Sequence, residues 1–479
     1  MITSTNARAR IGIMLAGHRE YWPQFPGLKE ELIKNGEYFT SLIAQHSVEI
    51  LGSVFVDTLE DAYAAGVQFK SQDVDLLFVY LTTYVSSGRY VQGALAAGCP
   101  VVLVGLQRPI LLEGETTLIS LTGAGSPCQM PEAWNAFERS GKPAVDLIFG
   151  ELYNDKRVQT KLADWCRAAT AIRAMKGAIF GSLGHTYEGM LDMNYDPTSI
   201  TKQFGVHVRF VEMCELVEYV EGCSDAELKR KLDEVNTIFE YQDKSFDPTT
   251  KDIVDDDVIW AARCAVGLEN LVDNNNLSGL AYYYMGENNS IYERVASNLM
   301  IGNSLLTTRG IALAGESDMK TCLAMYITSA LGAGGSFAEL AYTDFANDIV
   351  IVGHDGPHDL RISDKKPTIR GLSLMHGKKG YGVSVEFSIR TGPMTMVGIG
   401  SDMHGDYRFI VAEGESQAGW VPPIGNTLTR GYFGPDIADF IEEWSKAMTC
   451  HHMSLSIGHN GAAIEKVGKL LGMPVVHIR

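Results

Sequence analysis

The chain has 479 residues, 46% of them hydrophobic, which is enough for two or three domains that each bury a substantial core and too many for a single small module. Its 58 acidic residues against 40 basic ones give a formal charge of -18, and the densest basic run, Lys365 and Lys366 with Arg370, is short; this argues against a nucleic-acid or anionic-membrane surface. The opening stretch reaches His18 and Arg19 after only a few apolar residues, too short for a signal peptide or a membrane span, so a cytoplasmic protein is expected. Eight cysteines with no CxxC and no regular spacing predict buried thiols rather than a zinc ribbon or a disulfide framework. Cys450 stands out because two histidines come directly after it.

In chain order, "RIGIMLAG" (10–17), "VEILGSVFVD" (48–57), "VDLLFVYLTT" (74–83) and "PVVLVGLQ" (100–107) are apolar runs of strand length. Intervals of helical periodicity separate them, such as "LKEELIKNGEYFTSLIAQH" (28–46). Such a pattern predicts a parallel, doubly wound sheet covered on both faces, with ligands beyond the carboxyl ends of its strands. The first strand end, "AGHREYWPQF", is rich in polar and aromatic groups and lacks GxGxxG, which disfavours a dinucleotide. His18, Arg19 and Glu20 there read equally as an ordinary solvated loop.

A second α/β segment opens near Ala174, with strands at 177–180 and 204–212. Two helices come next, 224–242 with Ser224 as N-cap and 255–275 with acids at its start. After about residue 333 short strand-like segments with Gly, Pro and Asp between them predict an antiparallel sheet or barrel, then a last helix over 435–448. The expected domains are 1–172, 173–332 and 333–479.

Four places offer carboxylates or imidazoles beside sharp structural punctuation: Glu316 in "AGESDMKTC", Glu339 in "GGSFAELAYTD", the opening stretch around His18, and "CHHMSLSIGH" from Cys450. The run "NDIVIVGHDGPHDL" adds His354 and His358. Its β-branched stretch Ile349–Val352 favours a strand, and Gly353, Gly356 and Pro357 interrupt regular structure beyond it, so the two histidines are not an i, i+4 pair on a helix. Glu339 comes after Phe337 and Ala338, and burying its carboxylate would cost several kcal/mol without a cation or hydrogen bonds. Two carboxylates and two imidazoles suit a divalent cation such as Mn2+, Co2+ or Mg2+. The plainer alternatives are a helix-start acid at Glu316, a salt-bridge partner at Glu339 and satisfied core histidines at 354 and 452.

The segments "GESDMKT", "FAELAYTDFANDIVIVGH", "CHH" and "FGSLGHTYEGMLDM" resemble the L-arabinose isomerase / L-fucose isomerase superfamily, on its arabinose isomerase-like branch. The resemblance implies a Rossmann-like parallel-sheet N-terminal domain, a second α/β domain and a C-terminal antiparallel β-barrel. It also implies a homo-oligomer, trimer or hexamer, with inter-subunit active sites, and no nucleic-acid or membrane partner. By the same resemblance Mn2+, with Co2+ or Mg2+ as alternatives, is held by Glu316, Glu339, His354 and His452. That choice takes His354 rather than His358 and leaves Asp355 to Pro357 to shape the pocket wall or a subunit contact. The two glutamates serve as the catalytic acid and base of aldose–ketose isomerisation through a cis-enediol, with a hydride shift as the other route. His18, Tyr187, Met190, Tyr283 (or its neighbour Tyr284) and His451 would contact an open-chain pentose, deoxy sugar or related modified sugar. Two departures from the family pattern, His18 in place of a glutamine and the longer "FGSLGHTYEGM" loop, point away from plain L-arabinose. The same scaffold also suits an epimerase or rearrangement enzyme for an oxidised or branched sugar, or a non-catalytic sugar-binding protein.

Overall fold

A computed structural model describes residues 7–478 except 115, 126, 243–246, 373, 376–377, 380–381 and 448–449. The first six residues of the opening stretch and residue 448, the expected end of the helix over 435–448, therefore lie outside the described residues, and that helix is not the last, because Gly461–Leu471 is helical as well. The chain divides into two compact units, one over residues 7–174 and one from residue 175 onward. No helix among the described residues is long and apolar enough to cross a membrane.

In the first unit the apolar runs form parallel strands β1 (Ala9–Ala16), β2 (Val48–Val56), β3 (Leu76–Leu81), β4 (Val101–Gln107) and β5 (Asp146–Glu151), in the order β2-β1-β3-β4-β5. β3 is buried at every position and β1 at all but Arg10, the signature of a parallel sheet covered on both faces. β5 is an addition to the four strands expected from the sequence. Its run "DLIFGE" begins and ends on a carboxylate and contains a glycine, which mutes the strand signal at this edge of the sheet.

The second unit begins with a four-stranded parallel sheet of β6 (Ile179–Leu183), β7 (His207–Val211), β8 (Gly279–Tyr282) and β9 (Ala312–Ala314), ordered β9-β8-β6-β7. The helix Asp225–Ile238 starts where its signals place it. The Ser224 hydroxyl accepts from Glu227 N, and the Glu227 carboxylate accepts from Ser224 N at 2.9 Å, a reciprocal capping box. The helix Asp255–Asn275 comes next, with three aspartates in its first turn.

A seven-stranded sheet is formed by β10 (Ser336–Asp344), β11 (Ile349–His354), β12 (Gly392–Ser401), β13 (Tyr407–Gln417), β14 (Thr427–Tyr432), β15 (His452–Ile457) and β16 (Val475–Ile478). Their order is β12-β15-β10-β11-β14-β13-β16, and β12 pairs with β13 as well. The sheet is mixed rather than antiparallel throughout, because β16 returns through the helix Gly461–Leu471 and pairs parallel to β13. Ala338, Val350, Val352, Met394, Met396, Ile410, Met453 and Leu455 share one buried core with this sheet.

One glycine in β11 sets the position of a candidate ligand. Gly353 has φ 153°, and a Cβ placed there would come within 1.9 Å of the Thr427 carbonyl oxygen on β14. Only a residue without a side chain lets β11 approach β14 and deliver His354 one position later. Gly353→Ala is expected to destabilise the fold by about 2 kcal/mol or more, read as a shift in the urea unfolding midpoint. Wild-type stability in that variant would mean that β11 has room this geometry denies it.

Candidate functional site

The second unit brings Glu316, Glu339, His354 and His452 to one place. Glu339 on β10 lies directly opposite His452 on β15 and, on its other side, opposite Gly353 of β11. His354 Nε2 stands 4.0 Å from Glu339 Oε2. Glu316 arrives from the end of β9, and its Oε2 is 3.6 Å from His452 Nε2 and 3.9 Å from His451 Nε2. The donor atoms of Glu339, His354 and His452 all lie within 4.8 Å of one another, as do those of Glu316, His451 and His452. Phe337 packs on both imidazoles, 4.8 Å from the ring of His354 and 4.3 Å from that of His452, and those two rings meet edge-on at 5.2 Å.

The turn that presents Glu316 is strained. Glu316 (φ 58°) and Ser317 (φ 60°) both occupy the left-handed region without being glycine, an arrangement that costs about 1 kcal/mol or more per residue and recurs at functional sites. The turn is held from below by Asp318, whose Oδ1 accepts from Thr321 N at 3.0 Å and whose Oδ2 accepts from the Thr321 hydroxyl at 2.8 Å, capping the buried helix Met319–Ala330. The same Oδ2 lies 3.2 Å from His452 Nδ1. Because a carboxylate can only accept, Nδ1 of His452 carries the proton and Nε2 turns its lone pair toward Glu316. His354 is oriented likewise, with Nδ1 2.9 Å from Asp355 Oδ1.

Two buried atoms at the centre, Glu316 Oε2 and His452 Nε2, have no hydrogen-bond partner among the described residues. Their 3.6 Å separation suits two ligands on one ion with bonds of about 2.1 Å. Charge fits as well. Burial pulls the His452 imidazole down to about 4 in spite of Asp318, so it is the neutral form a metal needs. Burial works against charge on His354 too, but Asp355, then Glu339 and Glu316, outweigh it and lift that imidazole to about 9. Burial raises the Glu316 carboxyl above its ordinary value. The carboxylates around His354 favour positive charge there, and the donor set fits a divalent cation.

A cleft of about 250 Å³ opens over these groups, and Glu316, Glu339, His354, Asp355 and His451 line its polar side. Tyr187, Met190, Tyr284, Met285 and Met300 line the other, with Tyr187 stacked on Tyr284 at 5.9 Å. Tyr283 is not among the lining residues; its ring lies 4.1 Å from that of His185. His358 is fully buried away from the cluster, where its Nε2 accepts from Gly356 N and its ring meets Phe387 edge-on. Burial there holds its imidazole near 3. His18 belongs to the 7–174 unit, just beyond the end of β1, where its Nε2 is 3.4 Å from Glu20 Oε2 and its ring packs on Tyr21. Glu339 avoids the cost of full burial, since its side chain is 38% exposed and lines the cleft.

Sequence reasoning gave no role to Asp318, Asp192 or Asn426. Asp318 could have been found from the D-x-x-T spacing ahead of an apolar helix, a capping signal inside the quoted motif. Nothing local marks Asn426, whose Oδ1 is buried at the cleft with no hydrogen-bond partner among the described residues. Five cysteines are buried, Cys450 among them, while Cys128 and Cys214 are exposed.

Residues 193–334 match the L-arabinose isomerase central domain and residues 334–474 the L-arabinose isomerase C-terminal domain. A sulfoquinovose isomerase of Alkalicoccus urumqiensis is 24% identical over 426 residues, covering 88% of this chain and 90% of that protein. An L-arabinose isomerase of Herpetosiphon aurantiacus is 24% identical over 340 residues, 68% of this chain and 65% of its own length, so the chain spans just under two thirds of that relative. A second sulfoquinovose isomerase, from a Clostridium species, is 23% identical over 71% of this chain and 72% of its own. With two adjoining domains matched and relatives of this kind along most of its length, the chain belongs to the arabinose isomerase-like family of sugar isomerases.

Proposed function

We propose that this protein is a divalent-metal-dependent aldose–ketose isomerase acting on an open-chain pentose, deoxy sugar or related modified sugar. The observation that carries the reading is the pair of buried, partnerless donors Glu316 Oε2 and His452 Nε2, flanked by Glu339 and His354 at the floor of a cleft. Glu316, Glu339, His354 and His452 would hold the ion, Mn2+ in first place with Co2+ or Mg2+ as alternatives. When bound, such an ion polarises the oxygens of the sugar at C1 and C2 and makes the C2 proton more acidic.

The rest of the chemistry falls to the chain's own groups. Glu339, the more open of the two carboxylates, takes the C2 proton. Glu316, deeper and beside His451, passes the O2 proton to O1, and Glu339 returns to C1 the proton it took from C2, so that the sugar crosses over through a cis-enediol with both carboxylates restored. The stacked tyrosines and the methionines give the far end of the sugar an apolar wall, and Asn426 Oδ1 offers an acceptor to a hydroxyl. His18 is retained as a further sugar contact. The reading carries with it the domains 1–172, 173–332 and 333–479, the last a β-barrel, a reading that the additional pairing of β12 with β13 supports. It also carries a cytoplasmic setting and a homo-oligomer of three or six chains.

Glu316→Gln and Glu339→Gln are each expected to lower kcat by about 10²–10⁴-fold with an unchanged circular dichroism spectrum. Normal turnover in either folded variant would remove that residue from the mechanism. The two histidines of "NDIVIVGHDGPHDL" separate by metal: His354→Ala should weaken Mn2+ binding in calorimetric titration by at least about 100-fold, whereas His358→Ala should bind Mn2+ normally and lose stability. The opposite pattern would mean that His358 is the ligand. Stripping the protein with EDTA should abolish isomerisation, and Mn2+ should restore it; full activity in the stripped protein would contradict the metal-dependent reading.

A further inference from the structure

We propose that Asp192 is a positioning residue that holds His451 in its working orientation, a role that rests on the isomerase reading above. Asp192 lies in the short turn Leu191–Met193, on the segment that leaves β6 and carries Tyr187 and Met190 into the cleft wall. One of its oxygens, Oδ2, receives two contacts from a residue 259 positions away: the backbone N of His451 at 2.9 Å and Nδ1 of the same residue at 2.7 Å. The backbone N–H can only donate and the carboxylate can only accept, so Nδ1 of His451 carries its proton toward Asp192. Nε2 is then left facing the cleft, 3.9 Å from Glu316 Oε2.

The arrangement repeats what the two ligand histidines show. His354 is tied at Nδ1 to Asp355, His452 to Asp318, and His451 to Asp192. Three imidazoles around one cleft are each backed by their own carboxylate, and the backing fixes which nitrogen points inward. His451 differs in being half-exposed to the cleft, where a sugar hydroxyl or the Glu316 carboxylate can meet its Nε2. The Asp192 backbone is tied down in turn. Its carbonyl accepts from the buried Lys320 ammonium at 2.5 Å and from the Cys450 thiol at 3.3 Å, so the residue that aims His451 is itself anchored to the helix just after Glu316. Lys320 and Cys450, neither of which touches the cleft, thereby acquire a reason for their positions.

The test is a double-mutant cycle on the reaction, with L-arabinose, D-xylose, L-fucose, D-galactose and sulfoquinovose as the probe aldoses and Mn2+ as the metal. On the aldose best turned over, Asp192→Ala is expected to lower kcat by about 10–100-fold while leaving KM within about 3-fold. Asp192→Ala combined with His451→Gln should be no slower than His451→Gln alone, because the first change acts through the second residue. Asp192→Asn, near in shape but without the carboxylate charge that backs Nδ1 of His451, provides the same cycle should the alanine variant fail to fold. Mn2+ binding by calorimetry should match wild type in the Asp192 variants. Independent, multiplying losses in the cycle, a fall confined to KM, or lost Mn2+ binding would each overturn the proposal while leaving the isomerase reading intact. A wild-type protein that turns over none of the five aldoses would instead bring down that reading, and this proposal with it.

Discussion

The site depends on one register. Glu339 on β10 sits directly across from His452 on β15, and the next strand, β11, is set so that Gly353 faces Glu339, with His354 one position on. Cross-strand partners in an antiparallel ladder are held about 4.5–5.5 Å apart at Cβ, which is close enough for their side chains to share a ligand without any local sequence motif. A slip of one residue between β10 and β15 would turn either Glu339 or His452 to the opposite face. The core formed by Ala338, Val350, Val352, Met453 and Leu455 resists such a slip, since it would expose those side chains. Burial of ordinary hydrophobic residues is therefore what keeps an unusual set of polar ones in place.

The polar set is costly in the folded chain. Two non-glycine residues stand in the left-handed region at 316–317, and Glu316 Oε2 and His452 Nε2 are buried without hydrogen bonds to the described residues. Asp318 is completely buried, and its burial is offset by His452 together with Thr321 and the start of the helix it caps. Each of these would be a defect if stability alone were at stake. Together they make a concave group of donors that gains most from a cation and from a substrate that brings its own oxygens.

Much of the architecture was legible in the sequence because it was written in local patterns. The continuous apolar runs of β1, β3 and β4 and the Ser224 cap needed nothing beyond nearest neighbours to be read. β5 was missed because its ends are charged, and the parallel return of β16 because strand direction is a long-range property. The site divides in the same way. The residue types at Glu316, Glu339, His354 and His452 could be named as candidates, but resemblance to a known family was needed to choose among the histidines, since spacing could not. The supporting carboxylates were harder still: Asp318 lies 134 positions from the histidine it orients, and Asp192 lies 259 from its own. The choice between Tyr283 and Tyr284 turned on how the chain leaves β8, with one ring going to His185 and the next to the cleft, and an adjacent pair of identical residues carries no signal about that.

The central claim is that four residues, on β10, β11, β15 and the turn that follows β9, hold a single divalent ion. Anomalous diffraction at the manganese edge from crystals grown with Mn2+ tests it most directly. The account expects one strong peak per chain in contact with Glu316, Glu339, His354 and His452. A peak centred elsewhere, or a fully ordered cleft that shows none at saturating Mn2+, would contradict it.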